Sequence, residues 1–201
     1  KNPPQKGEPF DEIFKDFKEQ ILPGMTHWES PNFMAYFPAN KSYPSILGEM
    51  LMSTMGAQCM IWLTSPAAAE LEEHVMNWMR DMLGLPKTYT GVIQDTASTA
   101  TLCALLSARE KYSNFKINER GFKNERFTIY TAAQIHASID KAVKIAGFGE
   151  MALRKIGVDK SFSMKADELE NTIQKDIDAG YQPICVVSAI GTTSTTAIDP
   201  I

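Results

Sequence analysis

Three small hydroxyl residues, Thr96, Ser98 and Thr99, lie between a short β-prone run at residues 91–93 and an apolar pattern of helical spacing that continues to Ala108. The first N–H groups of a helix have no partner within it, and the helix dipole is positive at that end. Hydroxyl side chains add hydrogen-bond donors, so such a turn suits an anion such as a phosphate group. The sequence therefore predicts an anion site here, although hydroxyls that only cap the helix are the simpler interpretation.

Two further polar groups follow predicted strands. His136 comes shortly after a strand over residues 127–131, and Thr192 and Thr193 come after a strand over residues 183–190 that we expect to be buried on both faces. Ligands of parallel α/β sheets bind beyond the carboxyl ends of the strands. We therefore expect these groups to lie at one edge with the hydroxyl turn. Taken alone, the histidine is more typical of a structural residue.

The elements that must position these groups alternate between strands and helices from residue 91 onward. This order predicts an α/β fold with a mostly parallel sheet flanked by helices. Periodicity and capping signals predict helices over residues 11–22, 44–55, 66–83, 136–146 and 166–179, a weaker strand over 151–156 and a loop over 113–126. Ser65 and Pro66 are expected to start the third helix, whose stripe containing Trp78 and Met79 is expected to be core.

The composition is that of an ordinary globular protein, with 201 residues, 44% hydrophobic and 22% charged, and a net charge of −4. The absence of a basic block argues against a nucleic-acid partner, and no apolar run reaches the roughly 18 residues of a membrane helix. Cys59, Cys103 and Cys185 predict free thiols in a reducing, cytoplasmic compartment. The three histidines lack metal-ligand spacing, so we expect no metal site.

Residues 27–40 are dense in aromatic side chains and are broken by prolines, so we expect no regular secondary structure there. The rings can simply pack on the core, which composition alone favours. They can also form one wall of an aromatic-lined pocket.

Several common motifs are absent: no Gly-x-Gly-x-x-Gly follows a strand, and neither a P-loop nor a Gly-x-Ser-x-Gly elbow occurs. A series of short segments within residues 27–201 is distinctive instead. They are His27-Trp28, Ser30-Pro31-Asn32-Phe33, Ala35-Tyr36-Phe37-Pro38, Leu47-Gly48-Glu49-Met50-Leu51, Trp62, Ser65-Pro66-Ala67, Glu70-Leu71-Glu72, Leu83-Gly84-Leu85-Pro86, Gly91-Val92-Ile93-Gln94, Thr96-Ala97-Ser98, Gln134-Ile135-His136-Ala137-Ser138 and Gly191-Thr192-Thr193-Ser194. With these segments in this order, the chain resembles the pyridoxal-phosphate-dependent aromatic L-amino-acid decarboxylases, which are the group II decarboxylases of fold type I.

The resemblance implies the PLP-dependent transferase fold of type I, truncated to part of its large domain, and it implies roles for individual residues. Backbone N–H groups of Ala97 and Ser98 would bind the phosphate of pyridoxal 5'-phosphate. His136, the catalytic candidate, would stack on the pyridine ring and help to position the substrate. Thr193 and Asp199 match positions that support the cofactor region.

The resemblance also assigns the aromatic segment. Trp28, Tyr36, Phe37 and Pro38 would shape the substrate pocket, which favours an aromatic L-amino acid. In the family this wall serves the site of the neighbouring subunit, so the resemblance implies a homodimer with active sites at the subunit interface.

The same comparison divides the chain into a lead-in with a helix (1–26), the wall loop with helices (27–90) and the incomplete cofactor-binding domain (91–201). The Schiff-base lysine and the aspartate that faces the ring nitrogen are expected beyond Ile201. Residues 1–201 alone are therefore expected to lack decarboxylase turnover.

No lysine of residues 1–201 is assigned as the Schiff-base residue. Lys141 and Lys144 lie on a polar helix face, so they are expected to be solvated and are not assigned as the Schiff-base lysine. Asp95 stands where the family often has glycine. A carboxylate beside a phosphate is repulsive, so we expect Asp95 to point away from the site or to cap the helix.

The predicted function of the full-length protein is PLP-dependent decarboxylation of an L-amino acid, aromatic by preference, to its amine and CO2. One alternative is a non-catalytic fragment or the cofactor-binding half of a split protein. Another is a glutamate-type decarboxylase or an aldehyde-forming relative.

Overall fold

The computed structural model describes residues 3–37 and 41–201, and the chain separates into two compact units, Lys1–Leu51 and Met52–Ile201. In the first unit, α1 (Phe10–Asp16) continues through a π turn (Phe17–Ile21) and a 3-10 turn (Leu22–Gly24). The first predicted helix is thus confirmed. None of its residues is buried, and its phenylalanine rings lie stacked and exposed along one side.

Helices α2 (Tyr43–Met55) and α3 (Pro66–Met82) confirm two further predictions. Ser65 occupies the N-cap position of α3, although its side chain makes no capping hydrogen bond. The expectation that the α3 stripe is core is wrong, because Trp78 and Met79 are exposed and no described strand or helix packs closely along α3. Within the described residues, every helix is too short or too polar to cross a bilayer.

A three-stranded parallel sheet forms the centre of the second unit. Its strands are β1 (Phe127–Ala132), β2 (Leu153–Ile156) and β3 (Gln182–Val187), and their order is β2-β1-β3. Ile129 is in register with Leu153 on one side and with Cys185 on the other. The predicted strands and the predicted parallel α/β fold are confirmed, and the central strand β1 is buried along its whole length.

Helices cover both faces of the sheet. On one face Ile129 packs with side chains of α4 (Ala97–Ser113) and α6 (Ser138–Ile145). On the other face Tyr130 packs with side chains of α7 (Ala166–Asp178). Because neighbouring residues of a strand point to opposite faces, Ile129 and Tyr130 pack against different helices.

The burial of β3 differs from the prediction. The strand is only half-buried, and Val186 is exposed, because β3 is an edge strand of the described sheet. An apolar run is consistent with a strand covered on both faces, but α4 and α7, which contact β3 from the two faces, leave it half-buried.

The polar segment 113–126 contains a short helix, α5 (Lys116–Arg120), where a loop was predicted. Within this helix Ile117 is buried, and the N–H of Asn118 donates to the buried carboxylate of Glu110 at 3.1 Å. These two tertiary contacts stabilise a turn that is too short to show a periodic pattern.

Candidate functional site

The amino terminus of α4 offers unpaired donors. Thr96 is the N-cap, and its Oγ1 accepts the N–H of Thr99 at 3.2 Å. The N–H groups of Ala97 and Ser98, the first two of this 17-residue helix, have no acceptor in the described part of the chain. They remain free to donate to an anion, and the helix dipole favours negative charge at this point.

The segment that leads into this turn is held by α3. Residues 91–93 form no strand, which corrects the β-prone interpretation. The N–H of Ile93 instead donates to Glu72 Oε1 at 2.7 Å, and Gly91 lies so close to Met76 that a Cβ would approach its sulfur to 2.9 Å. Asp95 is exposed. Thr96 is the N-cap of α4, so the expectation that Asp95 caps this helix is wrong.

His136 follows the carboxyl end of β1, as predicted, but it precedes α6, which begins at Ser138 instead of residue 136. Its Nδ1 accepts the N–H of Ser138 at 3.2 Å and lies 2.9 Å from the Ser138 hydroxyl. A ring nitrogen that accepts an N–H carries no proton, so in the neutral imidazole the proton is assigned to Nε2. The exposed ring can therefore present an Nε2–H donor.

A groove of about 170 Å³ lies between the first two turns of α4 and the length of α6. Its lining comprises Ser98, Thr99, Leu102, Ser138, Lys141, Ala142 and Ile145. The structure thus brings the hydroxyl turn beside the helix that follows His136, although the histidine itself is not among the lining residues. Two polar lining residues, Ser138 and Lys141, are absent from the candidate site residues taken from the sequence. The position of Ser138 two residues after His136 is the signal that could have indicated it.

The groups after β3 lie at the same edge of the sheet as His136, since β1 and β3 are parallel neighbours. Thr192 is buried, and its Oγ1 accepts the N–H of Ala197 at 3.1 Å, whereas Thr193 is exposed. Asp199 is buried and its carboxylate accepts two backbone N–H groups. These contacts form an ordered loop whose exposed hydroxyls are those of Thr193, Ser194 and Thr196.

The aromatic segment belongs to the first unit. The Trp28 ring lies 5.0 Å from that of Phe33 and 5.4 Å from that of Tyr36. Tyr36 has a left-handed backbone with φ of 59°, and Phe37 is exposed. Pro38 falls outside the described residues. The rings form a stacked, accessible aromatic surface.

A parallel sheet with an open helix start, exposed hydroxyls and an imidazole at its carboxyl edge defines an α/β domain that can bind an anionic cofactor. The family described as the pyridoxal-dependent decarboxylase conserved domain matches residues 1–201. The chain belongs to this family, and its cofactor is pyridoxal 5'-phosphate. The free N–H groups of Ala97 and Ser98 fit the phosphate of that cofactor.

Individual relatives agree with the family. The chain is 42% identical to a phenylacetaldehyde synthase of Petunia hybrida over 207 residues, which cover 98% of the chain and 40% of that protein. It is also 42% identical to the tryptophan decarboxylase TDC1 of Camptotheca acuminata, covering 100% of the chain and 41% of the relative.

A solved structure of Catharanthus roseus tryptophan decarboxylase in complex with L-tryptophan is similar with a TM-score of 0.91 and 38% identity, over 100% of this chain and 43% of that one. The chain therefore spans about two fifths of the length of the relatives that it matches.

Proposed function

We propose that the full-length protein decarboxylates an aromatic L-amino acid to its amine and CO2 with pyridoxal 5'-phosphate. The observation that carries the proposal is the pair of unpaired N–H groups at the start of α4, beside a groove shared with α6, in a chain of this family. The tryptophan decarboxylases among the relatives support the aromatic substrate class.

Each residue has a defined task in this proposal. The N–H groups of Ala97 and Ser98 hold the phosphate, and the Ser98 hydroxyl adds a donor. His136 packs its ring on the cofactor and donates from Nε2 to the substrate, while Thr193 supports the cofactor from the loop after β3. When bound, the cofactor supplies an electron sink for loss of CO2.

The substrate wall and the assembly are further parts of the proposal. Trp28, Tyr36, Phe37 and Pro38 form the aromatic side of the pocket, contributed to the neighbouring subunit of a homodimer. The exposed apolar side chains of α1, where no residue is buried, support a subunit interface in this part of the chain. The three unpaired cysteines support a reducing, cytoplasmic location.

A second candidate is the formation of an aldehyde instead of an amine. The observation that favours it is the 42% identity to a phenylacetaldehyde synthase, which equals the identity to a tryptophan decarboxylase. The residues of the cofactor site would be shared by both reactions, so only the products separate them.

The test uses the full-length protein loaded with pyridoxal 5'-phosphate and supplied separately with L-tryptophan, L-tyrosine, L-phenylalanine and L-glutamate. We expect a visible cofactor absorbance band and an amine from at least one aromatic substrate. An aldehyde product would favour the second candidate, and turnover of glutamate alone would overturn the aromatic preference. If the full-length protein neither binds the cofactor nor forms a product, it is non-catalytic.

A further inference from the structure

The carboxylate of Asp199 is buried and engaged on both oxygens. Only 3% of the residue is exposed. Oδ1 accepts the N–H of Met164, and Oδ2 accepts the N–H of Ala189, each at 2.8 Å. The backbone N–H of Asp199 also donates to the Ala189 carbonyl at 2.9 Å. Because each oxygen is committed to the chain's own backbone, this side chain is built as an internal acceptor.

The first partner, Met164, closes the loop that follows β2. Val158 and Met164 form an antiparallel bridge, and Asp159 Oδ1 accepts the N–H groups of Ser161 at 2.8 Å and Ser163 at 2.9 Å. The loop is therefore a preformed unit with its own hydrogen bonds. A contact made at its closing residue fixes the position of the whole loop.

The second partner, Ala189, opens the loop that follows β3 and carries the two threonines. The N–H groups of Gly191 and Thr192 donate to the Ala197 carbonyl at 2.8 and 3.2 Å, which closes a loop with Thr193 near its tip. Asp199 lies immediately beyond this closure. Its contacts to Ala189 hold the base of the loop together, while its contact to Met164 attaches that base to the loop after β2.

The sheet order makes this attachment relevant to the cofactor. Strands β2 and β3 flank β1, whose carboxyl end leads to His136. We propose that Asp199 is a positioning residue: its carboxylate ties the loop after β2 to the loop after β3 and so holds Thr193 in place, without itself touching the cofactor. This role rests on the proposed function, because it takes Thr193 as a residue of the cofactor site.

The test compares Asp199→Ala and Asp199→Asn with the wild type in the full-length protein. Asp178→Asn is the matched control, since Asp178 is an exposed aspartate on α7 that accepts only a side-chain amide of Gln174 among the described contacts. Amide hydrogen exchange is measured without cofactor on peptides covering 157–165 and 188–199. Cofactor affinity and the absorbance maximum of the bound cofactor are measured by titration.

For Asp199→Ala we expect exchange to accelerate in both peptides by on the order of tenfold, because two buried donors lose their acceptor. The cofactor Kd should rise, and the absorbance maximum should stay unchanged. Asp199→Asn keeps one acceptor oxygen, so one of the two peptides should retain wild-type protection and the Kd should rise less. If the alanine variant does not fold, the asparagine variant decides the test.

Unchanged exchange in both peptides would overturn the proposal, and so would a shifted absorbance maximum in either variant, since that shift reports direct contact with the cofactor. A wild type that binds no cofactor would refute the proposed function instead. The exchange comparison would still decide whether Asp199 joins the two loops.

Discussion

The phenolic hydroxyl of Tyr130 on β1 donates a hydrogen bond of 2.8 Å to Asp176 Oδ2 on α7. Arg154 on β2 approaches the same carboxylate from the sheet, with Nη2 2.9 Å from Oδ1 and Nε 3.0 Å from Oδ2. The three side chains therefore join both strands to the helix behind them. Tyr130 is fully buried and Asp176 nearly so, which makes the network sensitive to the loss of either partner.

Replacing Arg154 with methionine should destabilise the protein, because Asp176 would keep a buried charge without its cation. We expect a loss of about 3 kcal/mol in the free energy of unfolding, at the low end for buried pairs because the guanidinium is partly exposed. Urea unfolding of the full-length protein provides the measurement. The control Lys144→Met breaks the exposed pair with Glu150 and should cost less than about 1 kcal/mol. Equal losses in both variants would contradict the network.

The same carboxylate should give the protein an acid-sensitive contribution to stability. Burial alone raises the pKa of Asp176, but hydrogen bonds from Arg154 and Tyr130 and the nearby guanidinium charge outweigh it and lower the pKa below the ordinary value of 3.8. A carboxyl group with a depressed folded-state pKa stabilises above its unfolded pKa and loses that contribution as the pH falls through the folded value.

The free-energy difference between wild type and Asp176→Asn should therefore shrink as the pH falls below about 4. Unfolding free energies measured at a series of pH values check this, and a difference that stays constant down to pH 2 would contradict it.

Burial also raises the pKa of Tyr130 to about 12. The wild type should therefore lose stability relative to Tyr130→Phe as the pH rises from about 10 towards 12, because the unfolded tyrosine ionises first. Unfolding free energies of the two proteins over this pH range measure the loss.

Much of the fold follows from local sequence patterns, and α7 and β1 show why. α7 has a clear 3.6-residue apolar repeat that ends near Gly180, and β1 is rich in β-branched and aromatic residues. Both elements carry their signal within their own residues. By contrast, the short helix α5 depends on Glu110, which lies outside it, so no local window could reveal it.

The exposed surfaces were harder to predict because apolar composition does not state what covers a side chain. The apolar stripe of α3 and the apolar run of β3 both predict buried side chains, yet Trp78 and Val186 are exposed in the described chain. In the candidate site, too, some features follow from the local sequence and others depend on tertiary packing. The helix start at Ala97 follows from a capping pattern, whereas the proximity of Ser138 and Lys141 to Ser98 depends on how α6 packs beside α4.

Substituting proline for Ala97 tests the phosphate site with little effect on the helix. Proline is favoured at the first helical position, and the preceding Thr96 already has the extended backbone (φ −146°, ψ 160°) that proline requires. The change deletes one N–H that we assign to the phosphate. We expect the cofactor Kd to rise by on the order of tenfold, as for loss of one hydrogen bond to a charged group, measured by absorbance titration of the full-length protein.

The matched control is Ala166→Pro at the first position of α7, on the opposite face of the sheet, where Lys165 is also extended. It should leave the Kd within about twofold of wild type, since it removes no donor from the groove. Weakening of cofactor binding to the same extent in both variants would indicate a general effect of proline and would argue against the phosphate assignment.

Two substitutions of His136 should separate its ring face from its Nε2–H. Phenylalanine keeps a flat ring but has no donor, so His136→Phe should retain cofactor affinity within a few-fold while kcat falls by on the order of a hundredfold. His136→Ala removes both features and should weaken cofactor binding as well. Steady-state kinetics and absorbance titration of the full-length protein measure the two effects. Since Nδ1 is engaged by Ser138, the donor available to a substrate is Nε2–H, and a phenylalanine variant with wild-type kcat would show that this proton has no part in turnover.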